Sequence, residues 1–154
     1  MIIRPAVRED AVAMSAALAA ILDTWESGRP RSPGHVLSNY IDHPDRVECS
    51  VAMGRDGTLL GFQSLKRATP GNPYDLSEGW GIIGTYVSVQ ATGRGVGRVL
   101  FAASRDSARG AGIAQIDATI GATNEGALAY YAAMGFETYR RRPRAVCKRY
   151  DIIR

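Results

Sequence analysis

Apolar residues change their spacing along the chain, and each change marks an element. IIRPAV, from Ile2 to Val7, reads as a short strand. From Glu9 or Asp10 a helix is predicted, with Val12, Met14, Ala16, Leu18, Ala19, Ile21 and Leu22 supplying its apolar surface. WESGRPRSPGH ends it with Gly and Pro, and a second helix is predicted from about Pro33 to Ile41, since Pro suits a first helical turn. VECSVAMG, Val47 to Gly54, and TLLGFQSLKR, Thr58 to Arg67, predict a hairpin around Asp56 and Gly57. ATPGNPYDLSEGWG, Ala68 to Gly81, is a long loop, and loops of this length inside a compact domain are usually functional. IIGTYVSVQ, Ile82 to Gln90, predicts a strand, and a helix follows from about Val96 to Arg109. IAQIDATIG alternates as a strand from Ile113 to Gly121, and a helix is predicted from about Asn124 to Met134. FETYRR and AVCKRYDII are the last two strands.

The predicted order is strand, two helices, three strands, helix, strand, helix, two strands. That order describes an α/β protein with a mixed sheet and helices on both faces. The chain has 154 residues and no composition break or repeat, so residues 1–154 are expected to form one domain. No run approaches the about 18 apolar residues of a membrane span. The N-terminus lacks an apolar signal core, and a cytoplasmic address is expected. Cys49 and Cys147 make no metal-ligand pattern with His35 or His43 and are expected to be buried thiols.

The formal charge is +4, and YRRRPRAVCKR, from Tyr139 to Arg149, carries much of the excess. Such a segment attracts polyanions. Aromatic residues are not interleaved there as stacking platforms, so nucleic acid is not the expected partner.

QATGRGVGRVLF, starting at Gln90, places Gly93, Gly95 and Gly97 at alternating positions ahead of a helix. Glycine there costs backbone entropy. It also lets a ligand approach the unpaired N–H groups at the helix N-terminus, which favours a phosphate. A nucleotide-hydrolase loop would end in Gly-Lys-Ser/Thr, but Arg98 and Val99 follow Gly97. The dinucleotide pattern fails too, because no glycine stands three residues after Gly95.

These residues resemble the acetyl-CoA site of the GNAT superfamily of N-acetyltransferases. Thr92-Gly93-Arg94-Gly95-Val96-Gly97 follows its Arg/Gln-x-x-Gly-x-Gly/Ala loop. NEGALAYYAAMGF is similar to the second signature, Asn-x-x-Ala-x-x-x-Tyr-x-x-x-Gly-Phe, at Asn124, Ala127, Tyr131, Gly135 and Phe136. ATIGATNEGALAYY looks most like the phosphinothricin-acetyltransferase-like branch. Three departures stand out, one of them Tyr131, where that branch carries His. Thr92 replaces the preferred Arg or Gln, leaving Arg94 and Arg98 to supply that contact. Ile82 stands where the branch has a candidate general-base Glu.

The resemblance implies a mostly antiparallel sheet of six to seven strands, splayed between the fourth and fifth by a bulge near Val87–Val89. Acetyl-CoA would lie in that gap. Its diphosphate would meet the amides from Gly93 to Arg98, and its pantetheine arm would pair with backbone around Val87, Ser88 and Val89. A Val87 N–H would serve as oxyanion donor. Tyr131 is the candidate acid for the leaving thiolate, with Tyr130 its neighbour and rival. A tyrosine pKa near 10 against about 8.5 for a thiol keeps the hydroxyl protonated at neutral pH. Asn124 either caps its own helix or holds pantetheine. Glu78 is the weak candidate base. Trp25, Tyr74 and Trp80 are expected to wall the pocket for a small-molecule amine. The resemblance also implies a homodimer. A CoA-binding module without turnover is the alternative that Ile82 and Thr92 leave open, and a peptide or protein acceptor is another.

Overall fold

The computed structural model describes residues 1–152. Its elements, in chain order, are β1 (Ile2–Pro5), α1 (Ala11–Thr24), α2 (Pro33–Val36), β2 (Arg46–Met53), β3 (Leu59–Arg67), β4 (Gly81–Val87), α3 (Val96–Gly110), β5 (Gln115–Gly121), α4 (Glu125–Ala133), β6 (Glu137–Arg142) and β7 (Ala145–Asp151). α2 runs on as a wider π turn over Leu37–Ile41, so the second predicted helix is one element with a change of pitch.

Seven strands form one sheet in the order β1-β2-β3-β4-β5-β7-β6. Every neighbouring pair is antiparallel except β4 and β5. Those two run parallel and pair only at Gly81 with Ile116 and Ile82 with Asp117. Beyond Ile82 they diverge, which opens the predicted gap. The bulge near Val87–Val89 is not its cause, because β3 and β4 keep an unbroken register from Gly81 to Val87. β4 ends at Val87 and not at Gln90; Val89–Ala91 turn as a single 3₁₀ coil that carries the chain over the mouth of the gap.

Strand alternation sorts the core into two faces. Cys49, Val51, Phe62 and Tyr86 meet Met14, Leu18 and Leu22 of α1 on one face. On the other, Leu65, Ile83, Ile116, Ala118 and Ile120 pack with Phe101 of α3 and Tyr131 of α4. Ala52 and Leu60 join Val96 and Leu100 at the start of α3. Helices therefore cover both faces. Cys49 and Cys147 are both free and buried.

The entry to α1 is fixed by a carboxylate. Asp10 accepts from the Val7 N–H at 2.8 Å and from the two terminal guanidinium nitrogens of Arg4 at 2.8 Å. The Arg4 hydrogen bonds hold the Asp10 pKa below the usual aspartate range, against the opposing effect of burial. A carboxylate with a lowered pKa stabilises the fold above its unfolded pKa and loses that contribution as pH falls through the folded value. Asp10→Ala is expected to cost about 1–2 kcal/mol at neutral pH. Urea unfolding should show that difference shrinking as pH drops below the ordinary aspartate value of about 3.9.

Candidate functional site

The gap between β4 and β5 opens into two cavities, one on each side of a shared wall. The first, about 470 Å³, is bounded by Val87, Val89, Thr92, Gly93, Gly95 and Val96, and by α4. The second, about 570 Å³, lies on the α1 face and is bounded by Trp25, Arg29, Tyr40, Lys66, Tyr74 and Asp117, among others. Thr24, Trp25, Thr85, Asn124, Ala127 and Tyr131 border both.

The glycine loop now has a reason at each position. Gly93 and Gly95 have φ of +82° and +79°, in the left-handed region that side chains rarely adopt, and a Cβ at either would meet only open space. Gly95 is also the N-cap of α3. The amides of Val96, Gly97 and Arg98 belong to the first helical turn, where no preceding carbonyl reaches them. Together with those of Gly93 and Gly95, they have no partner among the described residues. Arg94 departs from the expected ring, because its amide donates to the Ala91 carbonyl at 3.3 Å. Thr92 does likewise, donating to Val89 at 3.3 Å. Gly97 serves a different purpose. A Cβ there would lie 2.5 Å from Cε1 of Tyr130, so its absence lets α4 pack against the first turn of α3.

Just past the end of β4, the Ser88 N–H donates to the Leu60 carbonyl at 2.8 Å. Adjacent strand residues point their main-chain groups in opposite directions, so those of Val87 face the gap. Ser88 turns its amide inward and borders neither cavity, unlike Val87 and Val89.

The tyrosine pair divides its work. Tyr130 donates to the Gly97 carbonyl at 2.7 Å and accepts from Gln63 Nε2 at 3.1 Å, and burial pushes its pKa up to about 12. Its hydroxyl is therefore occupied in tying α4 to α3. Tyr131 is 5% exposed and lies 2.8 Å from Thr85 Oγ1. Thr85 also accepts from Gln63 Nε2 at 2.9 Å, and its second lone pair and its own proton let either hydroxyl of the Thr85–Tyr131 pair be the donor. With Thr85 as the donor, the Tyr131 proton is free for whatever enters the cavities. Burial, opposed by the Thr85 hydrogen bond, drives the Tyr131 pKa far above the ordinary tyrosine value. Gln63 and Thr85 are functional neighbours that sequence reading missed. Thr85 is the single aliphatic hydroxyl of β4, and Gln63 is one of several polar residues of β3.

Asn124 sits at the start of α4, where Oδ1 accepts from the Ala127 N–H at 3.1 Å. Capping uses the carbonyl oxygen and leaves the amide NH₂ beside both cavities. Arg98 borders the first cavity, while Arg94 is exposed and borders neither.

The aromatic wall is only partly as expected. Trp25 and Tyr74 border the second cavity, but Trp80 does not; its ring packs against Tyr139 at 5.6 Å between centroids. Arg140 and Arg142 hold the long loop by donating to the Tyr74 carbonyl at 2.7 and 2.9 Å. Part of the basic C-terminal segment thus has a structural use. Glu78 is exposed and borders neither cavity. His35 and His43 border neither as well; His43 Nδ1 accepts from the Asp45 N–H at 3.1 Å. Tyr86 joins the wall unforeseen, accepting from Arg29 at 2.9 Å and lying 3.2 Å from the Tyr40 hydroxyl.

The two cavities thus share a wall with a buried hydroxyl, and the first is bordered by the loop whose amides are free. The model of the acetyltransferase (GNAT) family matches residues 15–136. The chain belongs to this family, and so is an acetyltransferase that uses acetyl-CoA. No curated protein matches the chain. Among solved structures, it is similar to a protein assigned as a phosphinothricin N-acetyltransferase, at 19% identity and a TM-score of 0.78 over 99% of both chains. The protein yncA of Salmonella typhimurium, solved with its cofactor acetyl-CoA, aligns at 20% identity and 0.78 over 99% of this chain and 94% of the other. The ribosomal-protein-alanine N-acetyltransferase of Brucella melitensis aligns at 22% and 0.76 over 98% and 99%. Among the described residues, no helix is long and apolar enough to cross a membrane.

Proposed function

We propose that this chain transfers the acetyl group of acetyl-CoA to a primary amine of a small molecule, with both ligands bound at once. The observation that carries the reading is the pair of cavities meeting at Thr85 and Tyr131. One cavity ends at free amides. The other has about 570 Å³, within the usual range for small ligands. Tyr74 and the long loop wall this second cavity, which favours a compact acceptor over a polypeptide.

The residues present fit acetyl-CoA. Gly93 and Gly95 leave space where a side chain would stand, and the amides around them suit a diphosphate. Val87 at the end of β4 and Val89 in the turn after it offer backbone to the pantetheine arm, and the Asn124 amide adds a donor. When bound, the cofactor supplies an acetyl thioester. The Val87 N–H, aimed into the gap, is placed to hold negative charge on the carbonyl oxygen. Tyr131 keeps its proton at Oη and is the donor available to the departing sulfur. Arg29 and Lys66 border the acceptor cavity together with Glu26, Asp117 and Glu125, so its walls offer partners for both an amine and an acidic group on the acceptor.

Mixing the protein with acetyl-CoA and a panel of amines tests this directly. At least one small amine should gain the mass of an acetyl group, with matching release of free thiol. Acetylation confined to peptides would move the acceptor to that class. Tight acetyl-CoA binding with no acetylated product would make the chain a sensor.

A further inference from the structure

The acceptor cavity contains a carboxylate that the scheme above leaves unused. Asp117 on β5 borders it and is fully buried. Its residue partner on β4 is Ile82, which borders the same cavity and carries no proton-accepting group. Burying a carboxylate is costly unless it is paired. Among the described residues no Arg or Lys forms an ion pair with Asp117. Two hydroxyls serve it: Tyr139 donates to Oδ1 at 2.6 Å and Thr119 donates to Oδ2 at 2.7 Å.

The two hydroxyls differ in what else they reach. Tyr139 packs under Trp80, and neither borders the cavity. Thr119 is exposed, borders the cavity and lies on the stretch of β5 that has parted from β4. It therefore connects the buried carboxylate to the space an acceptor would occupy.

We propose that Thr119 and Asp117 together accept the proton of the acceptor amine, Thr119 in contact with the amine and Asp117 behind it. This rests on the acetyl-transfer reading. The ammonium N–H bond breaks as a new O–H bond forms on Thr119 Oγ1. In the same movement Thr119 passes its original proton to Asp117 Oδ2. The amine is left neutral with its lone pair free, and Asp117 becomes a neutral carboxylic acid.

The surroundings suit that exchange. Burial raises the Asp117 pKa, and the hydrogen bonds from Tyr139 and Thr119 and the positive charges of Arg140 and Arg142 oppose it in part. Arg149 is the β7 partner of Asp117, and its guanidinium lies over the Tyr139 ring and pairs with Asp151. The Cys147 thiol lies 3.8 Å from Thr119 Oγ1, and Glu26, Arg29, Tyr40, Lys66, Tyr74, Tyr86, Glu125 and Tyr131 are the other titratable residues bordering this cavity. A carboxylate with a raised pKa is a stronger base, and it accepts protons only where it is ionised. Activity that depends on it is lost as pH falls through the raised value.

The test is kcat/KM against pH for an amine found in the panel, with circular dichroism confirming each fold. Asp117→Asn and Thr119→Val should each lower kcat/KM by about 100-fold, in line with loss of a positioned base. Both should also remove the acid limb that the wild type shows below the region where the amine itself titrates. Thr119→Ser keeps the hydroxyl and should keep the wild-type profile. Tyr139→Phe removes a hydrogen bond to the same carboxylate but not the route to the cavity, so its profile should keep the acid limb. If Thr119→Val retains wild-type rate and profile, or behaves no differently from Tyr139→Phe, the proposal is wrong even when Asp117→Asn fails to fold. Wild-type turnover with unmoved variants removes this proposal alone. No turnover with any amine removes the acetyl-transfer reading and this one with it.

Discussion

Tyr131→Phe should lower kcat by about 100-fold while leaving acetyl-CoA affinity close to that of the wild type. The expectation follows from what the hydroxyl does and does not hold. The ring packs against Phe136 at 5.1 Å and Tyr130 at 4.9 Å between centroids, and phenylalanine keeps those contacts. The hydroxyl touches only Thr85, which retains its bond from Gln63. Stability should therefore change little. What disappears is the proton at the junction of the two cavities. Because burial raises the Tyr131 pKa, that proton stays in place across the neutral range, and no loss of activity near neutral pH should trace to it. Stopped-flow or steady-state thiol release gives kcat, and calorimetry gives the affinity. A variant with wild-type kcat would remove Tyr131 from the chemistry. A variant with lost affinity and unchanged kcat would make it a binding residue only.

Gly95→Val should weaken acetyl-CoA binding by about 100-fold, the equivalent of two charge-assisted hydrogen bonds. Valine is strained at a φ of +79°, so the loop must turn out of the left-handed region and carry the Gly95 and Val96 amides with it. Asparagine tolerates that region far better. Gly95→Asn should accordingly bind more tightly than Gly95→Val. Equal losses in both would assign the effect to the bulk of a side chain and not to backbone conformation. Wild-type affinity in the valine variant would mean that this loop does not hold the cofactor.

Much of this architecture was legible in the sequence because it rests on local signals. The 3.6-residue spacing of α3, the Asp-Gly hairpin turn and the glycines at helix ends act within a few residues of one another. So does the loop from Gly93 to Gly97, whose conformation depends on its own glycines. The end of β4 was harder to place, because Val87 and Val89 read as a continuing strand while the chain has already turned. The reason for Gly97 was not legible at all. It depends on Tyr130, which reaches it only after α3, β5 and α4 have packed.

The acceptor side was the least legible. In IDATIG, Ile116, Ala118 and Ile120 alternate with Asp117 and Thr119, and the polar face of such a strand ordinarily faces water. Here Tyr139 of β6 reaches Asp117, and Trp80 at the end of the long loop packs on the Tyr139 ring. Trp80 was expected in the pocket because it is aromatic and near the loop, but aromatic character alone does not fix direction. Gln63 looked like one polar position in a strand, yet its single amide group orients both Tyr130 and Thr85.

The central claim is that the free amides of the loop before α3 grip the diphosphate of acetyl-CoA, with the edge of β4 along its arm. An amide chemical-shift titration of isotope-labelled protein with acetyl-CoA tests it most directly. The largest shifts should fall on Gly93, Gly95, Val96, Gly97 and Arg98, with a second group at Val87 and Val89, and smaller ones at Arg94 and Ser88, whose amides are bonded within the chain. Shifts concentrated on the arginines from Arg140 to Arg144, with the loop unmoved, would contradict the account.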